Sequence, residues 1–194
     1  GTNRWSGVAL PWMAFGYGLS VTPLQTLTLY NAVANDGVMV KPIFVSEIKE
    51  WNKTIKKFDT QVINPKICSQ ETLDKVHAVL ENVVKKGTGS KLYSKDFSMA
   101  GKTGTAQVNY KDKSKLYYAS SFVGYFPADE PKYSCIVVVH KPNVAAGYYG
   151  ADVAGPVFKR IAQKIFTDSP STNHVKNIDA KVVSQEKSYA EYYK

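Results

Sequence analysis

Cysteine and histidine are nearly absent from this 194-residue chain, at two and three residues respectively. Cys68 and Cys135 form no C-x-x-C pair and make no disulfide framework, so cysteine usage leaves the redox compartment open. Cys135 lies inside the apolar run "YSCIVVVH" and is expected as a buried free thiol. His77, His140 and His174 lack ligand-like spacing; no metal and no cofactor is expected. Long apolar runs are missing too: none approaches the roughly 18 to 20 residues that cross a bilayer. The first residues lack the basic stretch and apolar core of an export signal. They begin abruptly at "GTNRWSGVALPW", which reads as the middle of a domain, so any membrane anchor is expected outside the chain. Acidic residues are few, 16 against 25 Lys plus Arg, for a net charge of +9. That surplus favours anionic partners or surfaces. The lysines are scattered over 49–57, 85–95 and 111–115 with no nucleic-acid motif, and a solvated basic surface without nucleic acid is the expectation.

What is present suffices for one domain with a real core, at 44% hydrophobic residues. Ser20 and Thr22 are N-cap candidates before Pro23, and Leu24, Leu27, Tyr30 and Ala34 follow helical spacing toward a stop at Gly37. "VKPIFVSEIKEW" and "KTIKKFDTQVI" predict a hairpin around Asn52-Lys53, with Pro42 at its rim. A second helix is capped by Ser69 and ends at Gly87. Strands are predicted at 98–110, 118–126 and 133–141, with Tyr125 and Phe126 in the core. After a glycine-containing loop, "NVAAGYYGAD", a last helix starts at Pro156, its Val157, Ile161 and Ile165 facing the sheet and Phe158 in the core. The fold class is α+β, an antiparallel sheet with flanking helices. Residues 1–167 form the domain and 168–194 a polar linker or tail.

"SMAGKTGTAQV" raises the functional question. A phosphate-binding Walker loop needs a glycine where Asp96 stands and a helix directly after Lys-Thr, and neither is present. Two glycines within a strand, Gly101 and Gly104, mark either a bulge or a close approach by ligand or backbone, and spacing does not choose between them. Lys102 offers positive charge, and Thr103 and Thr105 offer hydroxyls. Such a set suits a substrate bearing a carboxylate and a carbonyl whose oxygen becomes negative. Strand alternation puts Lys102 and Gly104 on one face and Thr103 and Thr105 on the other, so a single site requires a twisted edge strand.

"AGKTGTAQV" resembles the Lys-Thr/Ser-Gly motif of penicillin-binding proteins and serine β-lactamases. "FGYGLSVTPLQTLTLYNAVANDG", "VVKKGTGSK", "SFVGYFPADEPKYSCIVVVHKP" and "YYGADVAGPVFKRI" resemble the segments around that motif in class B penicillin-binding proteins. "WSGVALPWMAFGYG" leans toward their division-specific branch. The resemblance implies the C-terminal part of a transpeptidase domain with the serine β-lactamase-like fold. In such enzymes an active serine attacks the penultimate D-Ala of a peptidoglycan stem peptide, D-Ala leaves, and an amine of a neighbouring stem resolves the acyl-enzyme. β-Lactams mimic the D-Ala-D-Ala end.

Carried over by resemblance, Lys102 supports the proton network and the electrostatics, and the Thr103 and Thr105 hydroxyls hold the substrate carboxylate. The Thr105 N–H supplies half of an oxyanion hole, Gly104 leaves room for the acyl chain, and Tyr149, beside Tyr148, rims the cleft. Implied partners are stem peptides, β-lactams and division-complex proteins, on the outer face of the bacterial cytoplasmic membrane. The family's Ser-x-x-Lys and Ser-x-Asn belong upstream of Lys-Thr-Gly. Ser184-Gln-Glu-Lys187 and Ser171-Thr-Asn173 lie downstream, in reversed order, within a polar stretch with few apolar anchors, and are discounted. The nucleophile is therefore expected outside this chain, which alone should not acylate. A non-catalytic module of the division complex and a β-lactamase or β-lactam sensor remain the alternatives.

Overall fold

The computed structural model of the chain describes residues 7–16, 18–109 and 114–168. A short helix the sequence reading does not anticipate, α1 (Ala9–Ala14), buries none of its residues. The next, α2 (Pro23–Ala34), begins with a reciprocal cap. The Thr22 hydroxyl accepts from the Gln25 N–H at 3.2 Å, and the Gln25 side chain accepts from the Thr22 N–H at 2.8 Å. Gly37, at φ +82°, then turns the chain out of the helix in a left-handed conformation that glycine adopts without strain.

The β-rich segment predicted as one long hairpin is two small sheets. β1 (Met39–Val40) pairs with β4 (Val62–Asn64), and β2 (Glu47–Glu50) pairs with β3 (Lys53–Lys57) around Trp51-Asn52. Every residue of β2 and β3 is exposed. With no face buried, nothing enforces a longer continuous register.

α3 (Gln70–Lys85) opens where Ser69 predicts it: the Ser69 hydroxyl accepts from the Thr72 N–H at 3.2 Å. The principal sheet is antiparallel in the order β5 (Ala100–Val108), β6 (Tyr117–Phe126), β7 (Tyr133–His140). It matches the predicted meander within two residues at each end and leaves β5 on an edge. Alternation along β6 divides the core. Phe122 and Phe126 join Leu92, Met99, Ala154, Phe158 and Ala162 on one face. Tyr125 joins Val33, Leu73, Leu80 and Ala100 on the other. Tyr125, Phe126 and Phe158 are buried as expected. Cys135 is free and half-buried rather than fully enclosed, and burial pushes its thiol pKa up.

The last helix corrects the sequence reading. A turn of helix, α4 (Gly150–Val153), precedes α5 (Gly155–Asp168). Val157 and Ile161 are 42% and 37% exposed, whereas Phe158 and Ala162 are at 0%; of the predicted stripe only Ile165 packs on the core. The cause is the seat of Gly155, where an added Cβ would lie 2.8 Å from a Leu92 methyl. With Gly155 pressed on Leu92, residues three and seven positions on turn inward. The predicted tail, 168–194, lies outside the described residues except Asp168, which closes α5.

Tyr125 brings a polar group into its cluster. Its hydroxyl lies 2.8 Å from His77 Nδ1, with the rings edge to face at 5.5 Å. Burial, and then the Glu81 carboxylate, push the phenol from 10.0 up to about 12. An unfolded tyrosine releases its proton near pH 10 while the folded one keeps it. This contribution is therefore complete below about pH 10 and is lost as the pH rises through about 12. Tyr125→Phe is expected to cost about 1 kcal/mol at neutral pH and to remove that alkaline component. Thermal unfolding of both proteins between pH 8 and pH 11 checks this.

Candidate acyl-transfer site

Gly101 to Thr105 occupy the edge strand β5, in unbroken register with β6 from Ala100↔Tyr125 to Val108↔Tyr117. No bulge is present, so of the two readings of the glycines, close approach stands. A Cβ on Gly101 would lie 2.5 Å from the Val123 carbonyl oxygen and 2.8 Å from the Phe122 ring. The glycine opposite, Gly124, would meet the Ala100 carbonyl oxygen at 2.1 Å. The neighbour that approaches here is the adjoining strand and its buried phenylalanine.

The alternation that separates Lys102 from Thr103 is overcome at the free edge. Lys102 is exposed, and its ammonium donates to the Thr103 carbonyl oxygen at 3.0 Å and to the Thr103 hydroxyl oxygen at 3.2 Å. A four-carbon stem on a central strand would be blocked by the neighbouring strand. On an edge it reaches around the backbone, and charge and hydroxyl meet without twisting the strand out of register. The Thr103 hydroxyl also lies 3.0 Å from that of Thr88, just past the end of α3.

Thr105 is held from the other side: its hydroxyl oxygen accepts from the Gly150 N–H at 3.1 Å. Gly150 reaches this position because it has no side chain; a Cβ there would fall 2.3 Å from the Ser121 carbonyl oxygen and 2.6 Å from that of Gly104. The residues before it form an aromatic stack. Tyr148 lies 4.2 Å from Tyr118 and 4.4 Å from Tyr149, centroid to centroid. The Tyr148 hydroxyl donates to that of Tyr149 at 3.1 Å, which holds the Tyr148 phenol up at about 12. Tyr149 is 55% exposed. Lys91, in the 3₁₀ turn Ser90–Leu92, pairs with Asp152 of α4 at 2.7 Å and ties the approach to β5 to the start of the last helices. The described cavities of about 370 and 220 Å³, lined in part by Phe97, Ser98 and Phe166, lie beside the start of β5. Lys102 and Thr105 are exposed on the edge strand, and Thr103 and Gly104 are partly buried.

Lys102, Thr103, Gly104, Thr105 and Tyr149 are therefore brought into one neighbourhood. Sequence reasoning misses Thr88, Gly150 and the partnership of Tyr118 with Tyr148, all of them contacts between distant segments. It also overlooks one Ser-x-x-Lys upstream of β5, Ser46-Glu47-Ile48-Lys49. Ser46 precedes β2 and Lys49 lies within it, both are exposed, and Lys49 pairs with Glu47 at 2.6 Å. An extended chain does not stack residues three apart, as a nucleophile and its activating lysine require. Ser171, Asn173, Ser184 and Lys187 lie outside the described residues.

The site is thus an edge strand bearing Lys-Thr-Gly-Thr, seated on a three-stranded antiparallel sheet with helices on both faces. Residues 1–163 match the family model for the penicillin binding protein transpeptidase domain, and the chain belongs to that family. It is 35% identical over 168 residues to the peptidoglycan D,D-transpeptidase FtsI of Buchnera aphidicola, covering 84% of this chain and 28% of that protein. It is 36% identical over 155 residues to the stage V sporulation protein D of Bacillus subtilis, covering 76% and 23%. The chain thus spans about a quarter of the length of these curated relatives. Among solved structures, the apo form of penicillin-binding protein 3 from a Mycobacterium superposes with a TM-score of 0.73 at 29% identity, covering 86% of this chain and 40% of that one. The same mycobacterial protein complexed with aztreonam gives 0.70 at 28%, covering 86% and 39%. The fold is the α+β transpeptidase fold expected of a class B penicillin-binding protein.

Proposed function

We propose that the full-length protein is a serine D,D-transpeptidase that cross-links peptidoglycan stem peptides during septal wall synthesis, and that this chain supplies one wall of its cleft. The observation that carries the reading is the meeting of the Lys102 ammonium with the Thr103 hydroxyl at 3.2 Å on an exposed edge strand, with the Thr105 hydroxyl two residues on. A serine from another part of the protein attacks the carbonyl carbon of the penultimate D-Ala and expels the terminal D-Ala as its amine. The amine of a second stem peptide then attacks the ester, forms the cross-link and returns the serine. Lys102 lowers the energy of the negative charge that develops and takes part in moving the serine proton. The Thr103 and Thr105 hydroxyls donate to the terminal carboxylate and the Thr105 N–H faces the carbonyl oxygen; the room expected at Gly104 for the acyl chain is taken by the Ser121 hydroxyl, which a Cβ there would meet at 2.5 Å. Tyr149 rims the peptide's path.

A carboxylate-bearing ligand fits the polarity of these groups. Thr103 and Thr105 each accept a hydrogen bond from a protein N–H, which leaves the Thr105 proton for an acceptor and the Thr103 proton for an acceptor or for the Thr88 hydroxyl. β-Lactams, with a carboxylate beside a strained amide, are taken as substrate mimics. No described helix is long and apolar enough to cross a membrane, and the proposed location on the outer face of the cytoplasmic membrane rests on an anchor elsewhere in the protein. Division-complex proteins are the proposed partners.

The test is covalent labelling. Full-length protein incubated with fluorescent penicillin is expected to give one adduct per chain, and residues 1–194 alone none. A specific adduct on residues 1–194 alone would overturn the two-part site, and an unlabelled full-length protein would overturn the activity.

A further inference from the structure

Ser120 is the buried polar residue of the core, at 0% exposure, and it stands directly opposite Thr105 across the β5–β6 pair. Its hydroxyl donates to the carbonyl oxygen of Tyr148. Two residues further on, the Gly150 N–H donates to the hydroxyl oxygen of Thr105 at 3.1 Å. The segment Tyr148 to Gly150 is therefore pinned at both ends to one rung of the sheet, with Tyr149 between the pins. We infer that Ser120 is a positioning residue for the acyl-transfer site: through the Tyr148 carbonyl it fixes the Gly150 N–H against Thr105 and so aims the Thr105 hydroxyl proton at the carboxylate of the bound substrate. The inference rests on the reading of Thr105 given above and deepens it.

The physical argument is one of polarity and confinement. A hydroxyl has one proton and two acceptor lone pairs. While the Gly150 N–H points at the Thr105 oxygen, the threonine's own proton is repelled from the segment and turned toward the exposed side of β5. If the segment lifts, the oxygen loses its donor, the proton is free to rotate, and the preference for an anionic acceptor weakens. Gly150 packs directly on the strand pair, since a Cβ there would fall 2.3 Å from the Ser121 carbonyl oxygen, so its N–H follows the placement of the segment before it. Among the described residues the anchor is the Ser120 hydroxyl, assisted by the stacking of Tyr148 on Tyr118. Serine is small enough to be enclosed at this point of the sheet, and its hydroxyl supplies the Tyr148 carbonyl with a donor.

The experiment uses the full-length protein and two probes, a penicillin with a free carboxylate and its methyl ester, and reads the second-order rate constant of acylation for each. Ser120→Ala is expected to slow acylation by the carboxylate probe roughly 10-fold and to leave the ester within about 2-fold. Ser120→Cys, which keeps a weak donor of similar shape, gives an intermediate ratio and serves if the alanine variant does not accumulate. In a Thr105→Val background, Ser120→Ala should have little further effect, since both changes act on one hydroxyl. Equal slowing of both probes, or full additivity with Thr105→Val, would assign Ser120 to packing alone and overturn the inference. Loss of carboxylate preference in Thr105→Val without any loss in Ser120→Ala or Ser120→Cys would also overturn it, while leaving the transpeptidase reading intact. If Thr105→Val keeps the full preference, the role proposed for Thr105 fails and the inference with it.

Discussion

Lys102→Ala in the full-length protein is expected to slow acylation by labelled penicillin roughly 100- to 1,000-fold, the range seen when one preorganised electrostatic contact to a developing charge is removed. The melting temperature should stay within about 2 °C, because the side chain is exposed and contributes no apolar core. Its two hydrogen bonds go to one threonine of the same strand, and water replaces them when the ammonium is removed. Lys102→Arg is expected to recover little, since a planar guanidinium cannot turn around the strand edge onto both Thr103 oxygens as a compact ammonium does. The decisive readout is the pair of measurements together. Lost acylation with an unchanged melting temperature locates Lys102 in the chemistry, whereas a parallel fall in both would make it structural.

Gly124→Ala should have the largest effect on the fold. The added methyl would sit 2.1 Å from the Ala100 carbonyl oxygen and 2.8 Å from the Gly101 Cα, and both are backbone atoms of a paired strand with no rotamer to escape into. Accommodation requires β5 to move away from β6 at Gly101↔Gly124, the pair directly before Lys102. The expected cost is more than about 4 kcal/mol, in the tail of single substitutions, where a named steric cause is required. Acylation should be lost along with soluble expression. Ala100→Gly does not relieve the clash, because the offending atom is a carbonyl oxygen. A Gly124→Ala protein that unfolds like the wild type would show that the two strands do not meet this closely.

Local features were legible in the sequence and remote ones were not. Thr22 and Ser69 cap their helices with partners three residues away, so type and spacing suffice to find them. The three strands of the main sheet carry their own β-rich signal, and the Lys-Thr-Gly-Thr run is found by its resemblance to the motif of penicillin-binding proteins. The facing of α5 is different. Helical spacing fits the stripe of Val157 and Ile161 as well as that of Phe158 and Ala162, and the choice is made by Gly155 seated on Leu92, a contact across 63 positions. The bulge reading of Gly101 could be discarded only with the register to β6 in hand. The clasp around Thr105 joins residues 105, 120, 148 and 150, and nothing in any one stretch foretells it. Even the meeting of Lys102 with the Thr103 hydroxyl depends on β5 lying at an edge, which is a property of the sheet and not of the strand.

The central claim is that β5 forms the wall of the cleft that receives the substrate carboxylate. A crystal structure of the full-length protein acylated by a β-lactam tests it most directly. The account predicts the adduct's carboxylate within hydrogen-bonding distance of the Thr103 and Thr105 hydroxyls, with the Lys102 ammonium beside the acylated serine. An adduct whose carboxylate meets none of these three groups, or one formed away from β5, would contradict it.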